Sequence, residues 1–196
     1  DAGAVEKLAA TFRTPYYHIW TTSDLVGLEV CAALKNAYTL SVGIANGLLE
    51  KSGGPDVANA YMHNLASAIF GQACTEMRHA LELMDGTPAF AYGLPGAGDL
   101  YVTCMGGRTV RLGRLLGLGH TMTEAREIMA GETLESVEII RTMGEALPKL
   151  ITRGLCDAAK FPLIQMLADI IVREQPVDFP LDAFFHSTAL SNAASW

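Results

Sequence analysis

The sequence predicts an all-α fold, and three observations predict it. Most of the chain carries apolar residues at spacings of three and four, the period of a helix with one buried face. Helix starts and stops punctuate those stretches: Asp24, Ser52-Gly53-Gly54, Asp85-Gly86, Gly119 and Thr121-x-x-Glu124. Only one short segment, Tyr16 to Thr22, has the aromatic and β-branched composition of a strand.

The elements follow in order. Val5, Leu8, Ala9 and Phe12 line one side of a first helix over Ala4 to Phe12, and Pro15 stops it. Tyr16 to Thr22 then reads as a strand. A lone strand needs a sheet, which the rest of this chain does not offer. Ser23 or Asp24 caps a long helix from Asp24 to Leu49, and Ser52-Gly53-Gly54 ends it. Pro55-Asp56 opens another helix to about Met84, with Ala58, Met62, Leu65, Ile69, Ala73, Met77 and Ala80 in register. Pro88 to Tyr92 reads as a helical turn, and Gly93 to Gly98 as a break. Asp99 to Thr103 is a short helix with both named residues on one side. Arg108 to Leu116 is helical and ends at Gly117 or Gly119. A capping box at Thr121 and Glu124 opens a helix to Met129. Thr133 to Leu147 is helical, with Pro148 near its end. Phe161 to Arg173 is amphipathic, and Pro180 to His186 is a last turn. There is no internal repeat.

At 196 residues, half of them hydrophobic and 18% charged, the chain is one ordinary domain or one plus a fragment, and not a disordered one. Its net charge is −7 and it has no basic run, which excludes an extended nucleic-acid surface. The five histidines form no metal-binding pair, so no metal is expected. The spacing of Cys31, Cys74, Cys104 and Cys156 fits neither a zinc site nor a redox pair. These are expected to be reduced, buried thiols of a cytoplasmic protein. Glu29, Lys35 and Asn36 interrupt the most apolar run, so no membrane span is expected.

The long helix holds the chemistry. Lys35 is the sole cation between Arg13 and Lys51, and its neighbours on its own face are Leu28, Cys31, Ala32, Tyr38, Thr39 and Val42. Three readings are open. Groups from elsewhere in the fold hold the ammonium; or it is partly desolvated, which lowers a lysine's pKa and makes it a proton carrier; or its stem lies along the helix while its head reaches water.

Val26-Gly27-Leu28-Glu29-Val30-Cys31-Ala32-Ala33-Leu34-Lys35-Asn36 resembles the start of the C-terminal domain of NAD(P)-dependent glycerol-3-phosphate dehydrogenases. Gly43-Ile44-Ala45-Asn46-Gly47-Leu48 is similar to the end of the same helix in that family. About sixty residues downstream of the first motif, Gly98-Asp99-Leu100-Tyr101-Val102-Thr103-Cys104-Met105-Gly106-Gly107-Arg108 resembles a second family segment. The resemblance implies a multi-helix substrate domain of the 6-phosphogluconate-dehydrogenase C-terminal-like type. Residues 1–22 would then be the tail of a nucleotide-binding Rossmann domain, a helix plus a strand, and residues 23–196 the helical substrate-binding and catalytic domain.

The resemblance also implies a reaction, hydride transfer between NAD or NADP and C2 of a three-carbon phosphate. Lys35 matches the family's catalytic lysine, as proton donor or acceptor. Asn36, Asp99, Thr103, Arg108 and Thr109 fall at substrate positions, and Arg108, Thr133 and Glu135 at cofactor positions. On residue grounds alone Asp99 is a helix N-cap, Thr103 an ordinary helix threonine and Glu135 a solvated first-turn carboxylate. Thr109 departs from the family's usual Asn, and one hydroxyl cannot reproduce an amide's two-sided contact. That departure leaves room for another small hydroxy acid or phosphate. The family further suggests a homodimer. No G-x-G-x-x-G follows a strand here, so the chain alone builds no dinucleotide site and should be inactive by itself. The rival reading is a non-catalytic helical module for dimerisation or binding.

Overall fold

Asp24 opens the element around which the fold is assembled. Its carboxylate accepts the Gly27 N–H at 2.7 Å as a helix N-cap, and the Thr87 N–H at 2.6 Å, tying the helix start to a distant turn. The Thr87 hydroxyl first, and then these two amides, hold the carboxyl below its usual range. The computed structural model describes residues 2–54 and 63–187. The predicted helix start at Pro55-Asp56, with Ala58 and Met62, lies outside them.

The elements are α1 (Ala2–Phe12), α2 (Leu25–Lys51), α3 (Asn64–Leu83), α4 (Asp99–Cys104), α5 (Arg108–Leu118), α6 (Met122–Ile128), α7 (Glu135–Thr152), α8 (Pro162–Arg173) and α9 (Leu181–Ser187). The all-α expectation holds among the described residues. α2 runs through the middle, with α3, α4, α5, α7 and α8 packed around it. Every residue from Ala37 to Ala45 is buried, as a helix enclosed on all sides requires. One expectation changes here: by length and composition α2 is apolar enough to cross a membrane. More than half of that stretch is buried among the other helices, as in a core helix.

Three local readings are corrected. Tyr16 to Thr22 forms no strand; a single antiparallel bridge joins Thr14 and Tyr17, and 18–22 runs on with no strand beside it. Strand propensity expresses itself only against a second strand, and none is present among the described residues. Gly93 to Gly98 is not a break, because Leu94–Gly98 forms one π-helical turn leading into α4. A Cβ on Gly96 would overlap the carbonyl oxygens of Phe90 and Ala91, so the widened turn needs glycine there. α7 passes through Pro148 to Thr152. Its one lost N–H bond is outweighed by the burial of Ile140 and Leu147 on the core side.

The start of α8 solves a local problem with a distant group. Phe161 at the N-cap offers no side-chain acceptor. Glu76 of α3 supplies one: Oε1 accepts the Leu163 N–H at 2.5 Å and Oε2 the Ile164 N–H at 3.0 Å. The Gln72 amide at 2.9 Å and the Tyr38 hydroxyl at 3.2 Å also donate to it. Burial pushes this carboxyl up to about 7 against the pull of its four donors. The carboxyl therefore binds its proton more tightly folded than unfolded. Its contribution to stability is complete below about pH 4.5 and is lost as pH rises toward 7. The loss is of order 3 kcal/mol. Thermal melts at pH 5 and 7.5 should show this slope in the parent chain and not in Glu76→Gln. Equal slopes would mean the carboxyl titrates as an ordinary glutamate.

Candidate active site

Lys35 is the eleventh residue of α2 and is half-buried, so its ammonium needs a partner that its own helix face lacks. The partner comes from α4. Lys35 Nζ lies 2.6 Å from Asp99 Oδ2, with side-chain exposures of 23% and 36%. Of the sequence readings, the one realised is an ammonium held by a group from elsewhere in the fold.

Asp99 is available for this because it is not a cap. Gly98 precedes α4 in helical conformation and no side chain caps that end. The π turn continues straight into α4 and leaves the carboxylate free to face α2. Thr103, one turn on, donates its hydroxyl to the Asp99 carbonyl at 2.6 Å. Its oxygen keeps acceptor capacity. Cys104 follows, its thiol 3.8 Å from the Thr39 hydroxyl of α2. The α2–α4 contact thus has two polar links.

The second group of site residues surrounds the start of α5. Gly107 has φ 99°, a left-handed value that favours glycine, and a Cβ on Gly106 or Gly107 would meet nothing within 4 Å. The backbone at this helix N-terminus is open to a ligand, and its amides point outward with the positive end of the helix dipole. Arg108 stands on the first turn and pairs with Glu135, at the start of α7, at 3.2 Å. Both are about half exposed, so the pair is weak and exchangeable. Thr109 is half-buried beside it. Arg111, one turn on, pairs with Glu132 at 2.6 Å.

Two grooves open beside these groups. Asp99 opens on an apolar one walled by Phe12, Trp20, Phe90, Leu94 and Val102. Asn36, Thr133 and Glu135 line the other, along the start of α7. The structure therefore brings Lys35 to Asp99, Arg108 to Glu135, and Asn36 to Thr133 and Glu135. α2, α4, α5 and α7 supply them, except Thr133, which lies two residues before α7. No direct bond joins the Lys35–Asp99 pair to the Arg108–Glu135 pair among the described residues.

Sequence reasoning missed Glu76 and Tyr38. The signal was present: Glu76 is an acid on the apolar face set by Ile69, Ala73, Met77 and Ala80. The thiol expectation holds for Cys31, Cys74 and Cys104, which are buried and free, while Cys156 is half-buried. Burial pushes Cys31 and Cys74 up to about 11, which keeps them protonated. Among the described residues no group of three or more His, Cys, Asp or Glu could hold a metal ion.

The family described as NAD-dependent glycerol-3-phosphate dehydrogenase C-terminus matches residues 24–181. An NADP(+)-dependent glycerol-3-phosphate dehydrogenase of Archaeoglobus fulgidus is 33% identical over 143 residues, 73% of this chain and 41% of the relative. A glycerol-3-phosphate dehydrogenase [NAD(P)+] of Bacillus cereus is 34% identical over 161 residues, 79% of this chain and 44% of the relative. The solved structure of glycerol-3-phosphate dehydrogenase from Saccharomyces cerevisiae superposes with a TM-score of 0.68 at 26% identity, covering 93% of this chain and 47% of that one. The Coxiella burnetii enzyme, at 23% identity and a TM-score of 0.70, shares the fold. The chain spans less than half the length of the curated relatives it matches. It belongs to the C-terminal family of the NAD-dependent glycerol-3-phosphate dehydrogenases.

Proposed function

We propose that this chain is the substrate-binding and catalytic half of a dehydrogenase that interconverts glycerol 3-phosphate and dihydroxyacetone phosphate in the cytoplasm. The 2.6 Å pair of Lys35 and Asp99 carries the reading. An ammonium paired with a carboxylate that itself faces a groove is arranged to give a proton to a carbonyl oxygen and to take it back in reverse. While protonated it also stabilises the oxyanion that forms there. Asp99 keeps the ammonium in place; Thr103, one turn beyond Asp99, and Asn36, next to Lys35 in the chain, are assigned to the substrate beside it.

The anionic end of the substrate is assigned to Arg108, Thr109 and the open amides of α5, where a guanidinium fork and a helix N-terminus favour phosphate together. NAD or NADP, when bound, supplies the hydride, and Arg108, Thr133 and Glu135 are the residues of this chain assigned to its near edge. Their fit rests on the uncovered Gly106–Gly107 backbone and on the exchangeable Arg108–Glu135 pair. The remaining cofactor contacts belong to a nucleotide-binding half of the same protein. The exposed apolar residues Leu8, Phe12, Trp20, Leu94 and Val102 around the first groove suit such a neighbour. This half alone should be inactive, and the working enzyme is assigned as a homodimer. Thr109 favours one second reading, another small hydroxy acid or phosphate as substrate.

Arg108→Lys in the full-length protein tests the phosphate assignment. Lysine keeps the charge and loses the fork. The KM for dihydroxyacetone phosphate should rise about 10–100-fold, the worth of a charge-assisted hydrogen bond. At saturating cofactor, which offsets any loss of grip on it, the slow reduction of unphosphorylated dihydroxyacetone should change much less. An equal rise for both ketones would place Arg108 away from the phosphate.

A further inference from the structure

A carboxylate with no exposure and no cation is an expensive thing to keep in a core, since apolar packing of the same volume costs less. Glu76 is such a group: it is fully buried, and no salt bridge reaches it among the described residues. Its charge is met by four donors from three elements: Tyr38 on α2, Gln72 on α3, and the first amides of α8. Hydrogen bonds are directional where apolar contacts are not, so the gain is a fixed arrangement of these three helices.

Tyr38 is itself fully buried and stands one turn after Lys35 on α2. Consecutive turns of one helix thus hold two polar anchors to different helices: Lys35 to Asp99 on α4, and Tyr38 to Glu76 on α3. One anchor fixes a point on a helix; two fix its rotation about the axis. Side-chain ends lie about 5–6 Å from the helix axis, so a rotation of about 10° moves them by about 1 Å. A displacement of that size is enough to cost about 100-fold in turnover. The anchor also survives titration. When Glu76 holds a proton, that proton can be donated to the Tyr38 oxygen, because a phenol both donates and accepts.

We propose that Tyr38 and Glu76 are positioning residues for the reaction: they fix the rotation of α2 and so hold the Lys35 ammonium at the substrate carbonyl. The proposal rests on the reading of Lys35 as the proton carrier.

Tyr38→Phe in the full-length protein is the test, because it removes one O–H and keeps the ring that fills the core. Lys35→Met is measured beside it. With dihydroxyacetone phosphate, Tyr38→Phe should lower kcat about 10–100-fold. Its KM should stay within about twofold, since the phosphate contacts are untouched. The solvent deuterium isotope effect on kcat should grow, because a misplaced ammonium makes proton transfer slower. A purely structural role would lower the melting temperature and leave kcat per folded enzyme and the isotope effect unchanged; that result overturns the proposal while leaving Lys35 in its role. Full turnover in Lys35→Met would overturn the proton-carrier reading and the positioning proposal with it.

Discussion

Replacing Lys35 by methionine in the full-length protein is expected to lower kcat by about 10²–10⁴-fold, the usual worth of a positioned general acid or base. Methionine matches the length and apolar stem of lysine and cannot carry the proton. KM should change little, because the phosphate is gripped elsewhere, at Arg108 and the start of α5. The fold should survive. Asp99 loses its partner but stays 36% exposed, so breaking this half-buried pair should cost about 1 kcal/mol. Circular dichroism and a thermal melt would confirm the fold, and steady-state oxidation of NADPH or NADH would give kcat. The contrast with Arg108→Lys is the informative part. One variant should move kcat and the other KM, which separates proton transfer from substrate grip. Unchanged turnover in Lys35→Met would remove the proposed proton carrier.

The second large effect concerns stability. α2 and α5 cross at four glycines, two on each helix and four residues apart: Gly43 and Gly47 against Gly113 and Gly117. A Cβ on Gly47 would overlap the Arg114 carbonyl oxygen and lie 2.9 Å from the Gly117 Cα. A Cβ on Gly113 would overlap the Leu40 carbonyl oxygen and lie 2.8 Å from the Ile44 nitrogen. These neighbours are backbone, so no side-chain rotation can relieve the clash; the helices must separate. Overpacking of this kind costs about 1–3 kcal/mol and more where backbone must move. Gly47→Ala or Gly113→Ala should therefore lower the melting temperature by roughly 5–10 °C at this chain size. The control is Gly71→Ala in α3, where a Cβ meets nothing within 4 Å. There alanine should stabilise by about 0.5–1 kcal/mol through helix propensity. Equal effects at Gly47 and Gly71 would mean the crossing is looser than the structure shows.

Most of the helical skeleton was legible because its signals are local. Asp24 caps α2 through a residue three positions away, and the Thr121–Glu124 capping box is complete in the structure. Gly119 ends α5 in the left-handed conformation expected of it. The apolar face of α8 follows directly from its spacing. Where local reasoning failed, the deciding contact was distant. Residues 18–22 have strand composition and no strand to pair with. Pro148 reads as an end, yet the packing of α7 carries the helix past it. Gly93 to Gly98 reads as a loop, and the close backbone of Phe90 and Ala91 turns it into a helical turn.

The candidate site divides the same way. The resemblance to the family, carried by two motifs in order, marked Lys35, Asn36, Asp99, Thr103, Arg108, Thr109, Thr133 and Glu135 as candidates. Their sequence did not say which of them touch. Lys35 and Asp99 are 64 residues apart, and Arg108 and Glu135 are 27 apart. Nothing in helical periodicity, which reaches three or four residues, reports on a partner at that distance. Glu76 shows the limit most clearly. Its sequence neighbours make it an anomaly on an apolar face. Only the tertiary packing of α2 and α8 against α3 supplies the four donors that make a buried carboxylate tenable, because hydrogen bonds that offset burial must come from whatever the fold brings within about 3 Å.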